Sequence, residues 1–158
     1  MVVLLGVYLF VLQYPNLKDN PEVEKWYRIT TDEMKSSDGS KYRALFKKGS
    51  ENKVIVYFAG GGVSVNEEMA RDKNYNTKEI FIDFVANFIM NMGGVATAAD
   101  DNPFKDWTVI SFPYATGDFH AGTGEFKYSD KNGKEKTLYH NGYNNFTAAM
   151  KEVMKHGG

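Results

Sequence analysis

The sequence predicts an α/β fold with a mostly parallel sheet, and two apolar runs carry this prediction. Residues 53–62 read KVIVYFAGGG and residues 107–113 read WTVISFP. Because the apolar side chains occupy consecutive positions, each run is typical of an interior strand that is covered on both faces. A segment with helical periodicity lies between the runs, so strand, helix and strand form a right-handed crossover unit with adjacent parallel strands.

Three consecutive glycines, Gly60 to Gly62, directly follow the first of these strands. Glycines at this position leave backbone N–H groups unobstructed at the sheet edge where α/β proteins bind ligands. Such N–H groups suit an anion or a developing oxyanion. The residues that follow lack the Lys-Ser/Thr pair of a P-loop and the spacing of a dinucleotide fingerprint. An oxyanion loop of the α/β-hydrolase kind and a tight turn with only a structural role both remain open.

The neighbouring polar residues give two further candidates for chemistry. Ser64 is a poor nucleophile candidate, because Asn66 stands where the G-x-S-x-G elbow needs its second glycine. The loop from Tyr114 to Gly122 follows the second strand, so topology places it on the same edge as the glycines. Asp118 and His120 could act there as acid and base. We favour the structural alternative, in which Asp118 caps a turn and His120 supports the loop.

The other elements follow from local patterns. Trp26–Ile29 and Tyr42–Phe46 are predicted strands that pair as antiparallel edge strands around a turn at Ser36–Ser40. The mixed charges of Asn66–Asn76 predict a solvated loop. Asn76 then caps a helix with an apolar stripe from Phe81 to Met92.

Towards the end of the sequence, the pattern predicts a hairpin and a helix. The hairpin pairs Glu125–Ser129 with Lys136–Tyr139 around an Asn-Gly turn at Asn132. The helix runs from about Tyr143 to Lys155 and has an apolar side that suits packing on the sheet.

Length and composition limit the possible functions. With 158 residues, the sequence corresponds to one domain, and its net charge of −1 without a basic stripe excludes a nucleic-acid partner. The absence of cysteine excludes disulfides, thiol catalysis and zinc–thiolate sites. The three histidines lack the spacing of metal ligands, so no metal or cofactor is predicted. The aromatic share of 15% suits a well-filled core.

The first fifteen residues form a separate segment in this interpretation, and residues 16–158 form the domain. Residues Met1 to Leu12 are apolar but too few to span a bilayer as a helix. Their length is that of a signal-peptide core, although no basic residue precedes them. We expect either the remnant of a secretory or anchoring segment, with an extracellular protein, or a buried strand.

Several motifs in this order resemble the pectin acetylesterase family, which includes the Notum carboxylesterases. The resemblance extends from about Trp26 to Gly158. It is carried by Ser37-Asp-Gly-Ser-Lys-Tyr42, Val56-Tyr-Phe-Ala-Gly-Gly-Gly62, Asn102-Pro-Phe-Lys-Asp-Trp107, Pro113-Tyr-Ala-Thr-Gly-Asp-Phe-His120 and Tyr139-His-Asn-Gly-Tyr-Asn-Asn145. The last two of these motifs are the most specific.

The resemblance implies an α/β-hydrolase that cleaves a carboxylic ester, such as an acetyl ester of pectin or a similar polysaccharide. It places the catalytic oxyanion donors on Gly61 and Gly62, and we expect Gly60, Asp118 and His120 to bind the substrate. The family commonly has Glu before the glycines and Trp and Cys after them, whereas this sequence has Ala59, Val63 and Ser64.

In enzymes of this family the nucleophile elbow follows the helix that ends here near Gly158. The resemblance therefore implies the amino-terminal half of an esterase, with the carboxyl-terminal half of the domain as its partner. A non-catalytic ligand-binding module is the alternative. A small hydrolase that uses Ser64, or Asp118 with His120, is a third and weaker hypothesis.

Overall fold

The computed structural model describes residues 14–77 and 94–158. The predicted segment Met1–Leu12 and the predicted helix from Phe81 to Met92 lie outside the described residues. The strands are β1 (Trp26–Ile29), β2 (Ala44–Lys47), β3 (Val54–Phe58), β4 (Thr108–Phe112), β5 (Gly124–Ser129) and β6 (Glu135–His140), and the helices are α1 (Glu67–Asp72) and α2 (Gly142–His156). Within these ranges, no helix has both the length and the apolar character needed to cross a membrane.

A mixed four-stranded sheet with the order β1-β2-β4-β3 organises the described residues. β1 pairs with β2, and β2 with β4, in antiparallel fashion. β3 and β4 are parallel, with Val54 opposite Thr108 and Phe58 opposite Phe112. The predicted parallel pairing of β3 and β4 and the predicted antiparallel pairing of β1 with β2 are therefore confirmed.

The positions of β3 and β2 within the sheet differ from the prediction. β4 is interior and buried at all five positions, as predicted. β3, in contrast, is the edge strand of the described sheet, and Val54, Val56 and Phe58 are exposed on one face. The prediction that β3 is interior was wrong, because a run of apolar residues specifies a strand but not the elements that cover it. β2 lies between β1 and β4, so only β1 keeps the predicted edge position.

The two faces of the sheet carry separate apolar clusters. On one face, Phe46, Ile110 and Phe112 pack with Ala148 and Ala149 of α2. The other face holds Trp26, Leu45 and Val109 with Ala96. This alternation follows from the two-residue period of a strand. The predicted helix at residues 143–155 is confirmed as α2, and its small residues let it lie close to the sheet.

The segment between β3 and β4 begins with a helix where the sequence predicted a loop. Asn66 caps α1, since its side-chain oxygen accepts a hydrogen bond of 2.9 Å from the Met69 N–H. Glu67 pairs with Arg71 one turn later and also accepts a hydrogen bond from the Ser129 N–H. The prediction of a solvated loop was wrong here, because a side-chain cap and an i,i+4 pair stabilise one helical turn despite its charge.

The predicted hairpin is confirmed as β5 and β6, which pair from Gly124 and His140 to Ser129 and Glu135. Its turn spans residues 130–134 and contains the predicted Asn-Gly pair. The Asp130 carboxylate accepts hydrogen bonds from the N–H groups of Asn132 and Lys134. Gly133 has a φ of +76°, which explains the glycine. The last residue of β6, His140, therefore lies close to the start of α2.

The exposed edge at β3 predicts self-association of the 158-residue chain. An edge strand with apolar side chains is a template for pairing with a second copy. We expect Val56→Lys to increase the monomer fraction, measured by size-exclusion chromatography with light scattering, because a charge on the edge opposes pairing. Val65→Lys is the matched control, since Val65 is also exposed but lies outside the strands. An equal increase in both variants would contradict association through the β3 edge.

Candidate functional site

Two loops meet at the carboxyl ends of β3 and β4. We call residues 59–64 the glycine loop and residues 113–122 the Asp118 loop. The Ala59 N–H donates to the Phe112 carbonyl at 3.0 Å, which continues the ladder of the parallel strands, and the Ser64 N–H donates to the Gly117 carbonyl at 2.8 Å. The two loops that the sequence placed on one edge are thus hydrogen-bonded to each other directly, without a cleft between them at these points.

Close packing requires glycine at two positions of the glycine loop. A Cβ atom at Gly61 would lie 2.1 Å from the side-chain amide nitrogen of Asn76 and 2.7 Å from the Tyr114 ring. A Cβ atom at Gly62 would lie 2.3 Å from the Asn74 carbonyl oxygen, and the φ of Gly62 is +90°. Gly60 differs, because a Cβ atom there would meet nothing within 4 Å. Gly61 and Gly62 are therefore needed for the fold, whereas Gly60 borders open space.

Hydrogen bonds to the carbonyl groups fix the direction of the loop's N–H groups. The Gly61 carbonyl accepts a hydrogen bond of 2.9 Å from the Asn76 N–H. The C=O and N–H of a trans peptide point in opposite directions, and the described residues contain no cis peptide. The N–H of Gly62 therefore points away from Asn76, and Gly62 itself is exposed. An N–H held in this way can stabilise a negatively charged oxygen.

Asp118 is a buried carboxylate that connects the Asp118 loop to α2. Its Oδ1 accepts hydrogen bonds from the Thr116 hydroxyl at 2.5 Å and from the His120 N–H at 3.0 Å. Its Oδ2 accepts from the Gly122 N–H at 3.2 Å and from the Gly142 N–H at 2.7 Å. Asp118 is 9% exposed, so these bonds take up its oxygens inside the protein. The geometry supports the structural role that we favoured for Asp118.

The His120 ring reaches from the Asp118 loop to the glycine loop. Its Nε2 lies 2.9 Å from the Ala59 carbonyl oxygen. Since a carbonyl can only accept, this nitrogen carries the proton and donates it. The ring lies between Phe58 and Tyr114, with 5.0 Å between ring centroids in each case. Asp118 contacts the backbone of His120 and not this nitrogen, so the two do not form an acid–base pair through it.

Tyr114 supports this arrangement from the Asp118 loop. Its hydroxyl oxygen accepts a hydrogen bond of 2.9 Å from the Phe119 N–H. Burial raises the pKa of the Tyr114 hydroxyl above its usual value, partly offset by that hydrogen bond. Tyr114 therefore stays neutral at physiological pH and serves as a fixed acceptor.

His140 also contacts the glycine loop, and sequence reasoning assigned it no role. Its Nε2 lies 2.7 Å from the Ser64 carbonyl oxygen, to which it donates for the same reason as His120. Gly142, two residues later, packs against the Asp118 loop: a Cβ atom there would lie 2.5 Å from both the Asp118 Oδ1 and the His120 Cα. The sequence did contain a signal for this role: the motif of residues 139–145 carried the family resemblance, but its individual residues were given no function.

Asn145 is a second residue of that motif whose role the sequence did not reveal. It is 1% exposed, and its amide accepts from the Lys35 N–H and donates to the Lys35 carbonyl, both at 2.9 Å. This pair of bonds ties α2 to the segment that precedes β2. The motif therefore fixes the position of α2, on which the Asp118 contacts depend.

Ser64 is enclosed and its backbone is engaged on both sides. Its relative exposure is 0%, its N–H donates to Gly117, and its carbonyl accepts from His140. The imidazole of His140 thus contacts the Ser64 backbone through Nε2. A nucleophilic hydroxyl needs a base within reach and access to substrate. The enclosure of Ser64 agrees with its assignment as a poor nucleophile candidate.

The four hydrogen bonds of Asp118 predict a large effect for Asp118→Asn. Each oxygen of Asp118 accepts from two donors, so the NH₂ group of the asparagine side chain would face two donors in either orientation. We therefore expect the free energy of unfolding to fall by about 2 kcal/mol or more. Urea denaturation followed by circular dichroism measures the change. Asp130→Asn is the control, because Asp130 also accepts two backbone N–H groups but lies in the exposed hairpin turn. Equal losses in both variants would contradict a special role for Asp118.

Comparisons with known proteins identify the family and the fold. The model of the family described as Pectinacetylesterase matches residues 25–157. Among solved structures, the chain is similar to the Wnt deacylase Notum from Drosophila in two crystal forms. One gives a TM-score of 0.52 at 16% identity and covers 89% of this chain, and the other gives 0.51 at 15% and covers 90%. A search of curated protein sequences gives no match.

These structures show a shared fold, and the α/β-hydrolase-like class predicted from the sequence is confirmed. The sequence predicted a mostly parallel sheet, whereas the sheet of the described residues is mixed, with one parallel and two antiparallel pairings. The chain spans 39% and 38% of the length of the two Notum chains. The family match covers most of the chain, including both loops of the site. We conclude that this chain belongs to the pectinacetylesterase family.

Proposed function

We propose that the chain is the amino-terminal part of a serine carboxylic-ester hydrolase that removes acetyl groups from a carbohydrate such as pectin. In this proposal the backbone N–H groups of Gly61 and Gly62 form the oxyanion hole. Family membership supports the reaction class. The observation that carries the assignment is the hydrogen bond from Asn76 to the Gly61 carbonyl, since it directs the Gly62 N–H away from Asn76 at an exposed position of the loop.

The chemistry requires such a site. A serine oxygen attacks the ester carbonyl carbon, and the carbonyl oxygen becomes an oxyanion in the tetrahedral intermediate. Collapse of the intermediate breaks the bond to the sugar oxygen and leaves an acyl-enzyme, which water then hydrolyses. Donors that are already aimed at the oxyanion stabilise it without reorganisation, and loss of one costs roughly 10² to 10³ in kcat.

In this proposal the described residues supply the oxyanion donors and their support, and the triad belongs elsewhere in the enzyme. Ser64 is enclosed, and His120 and His140 use their Nε2 protons to hold carbonyl groups. We place the nucleophile, the base and the orienting carboxylate in the carboxyl-terminal part of the same domain. Gly60, which borders open space, is the residue of the glycine loop best placed to line the substrate site.

We propose an acetyl ester of a polysaccharide as the substrate. We also propose an extracellular location, either secreted or membrane-anchored. The family description supports the acetyl group and the carbohydrate. The Notum structures are described as a Wnt deacylase, which supports removal of an acyl group in general. Comparing acetyl with octanoyl p-nitrophenyl esters separates short-chain from long-chain specificity, and acetate release from acetylated pectin tests the carbohydrate.

A non-catalytic ligand-binding module is the second candidate. It is favoured by the enclosure of Ser64, together with the commitment of both nearby imidazoles to carbonyl groups. In that case the N–H groups of the glycine loop would bind an anionic or carbonyl group of a ligand and catalyse nothing. Turnover by the protein extended beyond Gly158 distinguishes the two candidates.

The proposal predicts that activity requires the sequence beyond Gly158. We expect the 158-residue chain to hydrolyse p-nitrophenyl acetate at the background rate, because an oxyanion hole alone lacks the covalent step. The protein extended through its downstream sequence should turn over the same ester. In the extended protein, Ser64→Ala should retain activity, since the Ser64 hydroxyl has no catalytic part.

Two results would refute this assignment. Turnover by the 158-residue chain well above background would place a nucleophile within it. Loss of activity in Ser64→Ala, with an unchanged circular dichroism spectrum, would identify Ser64 as that nucleophile. Absence of turnover in both the chain and the extended protein, on acetyl and octanoyl esters alike, would favour the binding module.

The role of Gly62 can be tested without adding a side chain. Proline is unsuitable because it fixes φ near −65°, whereas Gly62 has a φ of +90°. Replacing the Gly61–Gly62 amide by an ester, with glycolic acid incorporated at position 62, removes the N–H without adding a side chain, and it also weakens the Gly61 carbonyl as the acceptor for the Asn76 N–H. We expect kcat of the extended protein to fall roughly 10²- to 10³-fold.

The same replacement at Gly133 is the control for that experiment. Gly133 also has a positive φ, but it lies in the hairpin turn, where its N–H donates a hydrogen bond to the Asp130 carbonyl. Its ester variant should keep nearly full activity. Equal kcat values for the two ester variants would show that the Gly62 N–H does not stabilise the transition state.

A further inference from the structure

We propose that His120 and His140 are positioning residues that hold the two ends of the glycine loop and thereby aim its N–H groups at the oxyanion. This inference rests on the proposed function and adds residues that contact neither the oxyanion nor the nucleophile. His120 donates to the carbonyl of Ala59, the first residue of the loop, and His140 donates to that of Ser64, the last. We call these two hydrogen bonds the imidazole clamp.

The bond at the first end has a direct consequence for the loop. The Ala59 carbonyl points at His120 over 2.9 Å, so the N–H of Gly60 in the same trans peptide points the opposite way. At the same time, the Ala59 N–H is held by the Phe112 carbonyl. Both peptide groups of Ala59 are therefore fixed, and the path of the chain into Gly60 is set before a substrate binds.

Backbone strain at His120 indicates that its contact with Ala59 has a function. Phe119 and His120 have φ values of +55° and +61°, a region that residues other than glycine adopt at a cost in free energy. Two such residues in succession persist because neighbours hold them: Asp118 accepts from the His120 N–H, and Tyr114 accepts from the Phe119 N–H. The result of this strained turn is that the His120 ring reaches Ala59.

The second end of the clamp is fixed by close packing. His140 ends β6, and its ring lies 5.6 Å from that of Phe126 on the paired strand. A Cβ atom at Gly122 would lie 2.6 Å from the His140 Cβ, so a larger residue there would displace the histidine. The Asp118 loop and the hairpin thus meet at His140, whose Nε2 then reaches Ser64 at 2.7 Å.

The clamp assigns the histidines a mechanical role. Each Nε2 proton is committed to a carbonyl of the glycine loop, so neither nitrogen is available to take a proton from a nucleophile. Loss of a clamp bond should therefore misplace the oxyanion donors, which lowers kcat. The oxyanion forms only in the transition state, so the loss should fall on kcat more than on KM.

The test uses the extended protein with His120→Phe and His120→Gln. Phe keeps an aromatic ring between Phe58 and Tyr114 but lacks the donor, whereas Gln lacks the ring and can donate an amide N–H to Ala59. We expect His120→Phe to lower kcat roughly tenfold to a hundredfold, with a smaller change in KM. His120→Gln should recover most of that loss and keep the shape of the wild-type pH profile. His156→Gln, at the far end of α2, is the matched control.

Two kinetic outcomes would overturn the clamp. If His120→Phe has the wild-type kcat, the bond to Ala59 does not position the donors. If Gln is as impaired as Phe and the limb of the pH profile disappears in both, His120 acts as a base. If His120→Phe fails to fold, the clamp is tested instead by determining which ring nitrogen of His120 carries the proton in the wild-type protein. ¹⁵N spectra of the histidine rings must show the Nε2–H form for His120, and an Nδ1–H form would refute the clamp.

A further arm separates failure of the clamp from failure of the proposed function. Absence of ester hydrolysis in the extended wild-type protein would refute the function and leave the kinetic test without a signal. The clamp is then judged from the amide ¹H–¹⁵N resonances of Gly60 and Gly62. His120→Phe should shift both resonances and His120→Gln should restore them, whereas unchanged resonances in His120→Phe would reject the clamp.

Discussion

The site depends on one buried carboxylate, that of Asp118. It accepts hydrogen bonds from a hydroxyl and from three backbone N–H groups, of which the Gly142 N–H opens α2. Hydrogen bonds to an ionised acceptor are stronger than those between neutral groups, and the positive end of a helix dipole adds to their strength. Asp118 therefore joins the loop after β4 to the helix that covers the sheet.

The contacts of Asp118 lead step by step to the glycine loop. Its bond to the His120 N–H stabilises a turn with two residues at positive φ, and that turn directs the His120 ring to Ala59. The parallel register of β3 and β4 brings the ends of both strands to one edge, so the ring spans the remaining distance. Asp118 thus supports the first end of the glycine loop through His120.

Local patterns in the sequence predicted much of this fold. The strands, the hairpin and α2 follow from runs of apolar residues and from turn chemistry that involves near neighbours. The place of β3 at an edge was not predictable in this way, because strand order depends on residues far apart in the chain. The same holds for the short helix α1, whose Glu67 accepts a hydrogen bond from Ser129 in the hairpin.

The contacts of the site were harder to predict, because they join distant residues through unusual backbone. His120 and Ala59 are 61 residues apart, and His140 and Ser64 are 76 apart. No sequence pattern predicts that Phe119 and His120, neither of which is glycine, adopt positive φ. The two most specific of the motifs that revealed the family did mark the right segments, since they contain His120 and His140, which donate to the carbonyl groups at the two ends of the glycine loop. They could not show which atoms meet, because that depends on the folded arrangement of three loops.

The glycine loop is held through its own carbonyl groups, and this explains how the loop can be rigid and still expose N–H groups. The carbonyls of Ala59, Gly61 and Ser64 accept bonds from three separate parts of the chain: the Asp118 loop, the segment at Asn76 and the end of β6. Since each trans peptide opposes its C=O and N–H, fixing the carbonyls of Ala59 and Gly61 sets the direction of the N–H groups of Gly60 and Gly62. An oxyanion hole stabilises charge only to the extent that its dipoles need no reorganisation. Anchoring the carbonyls meets that requirement while leaving the donors free for the substrate.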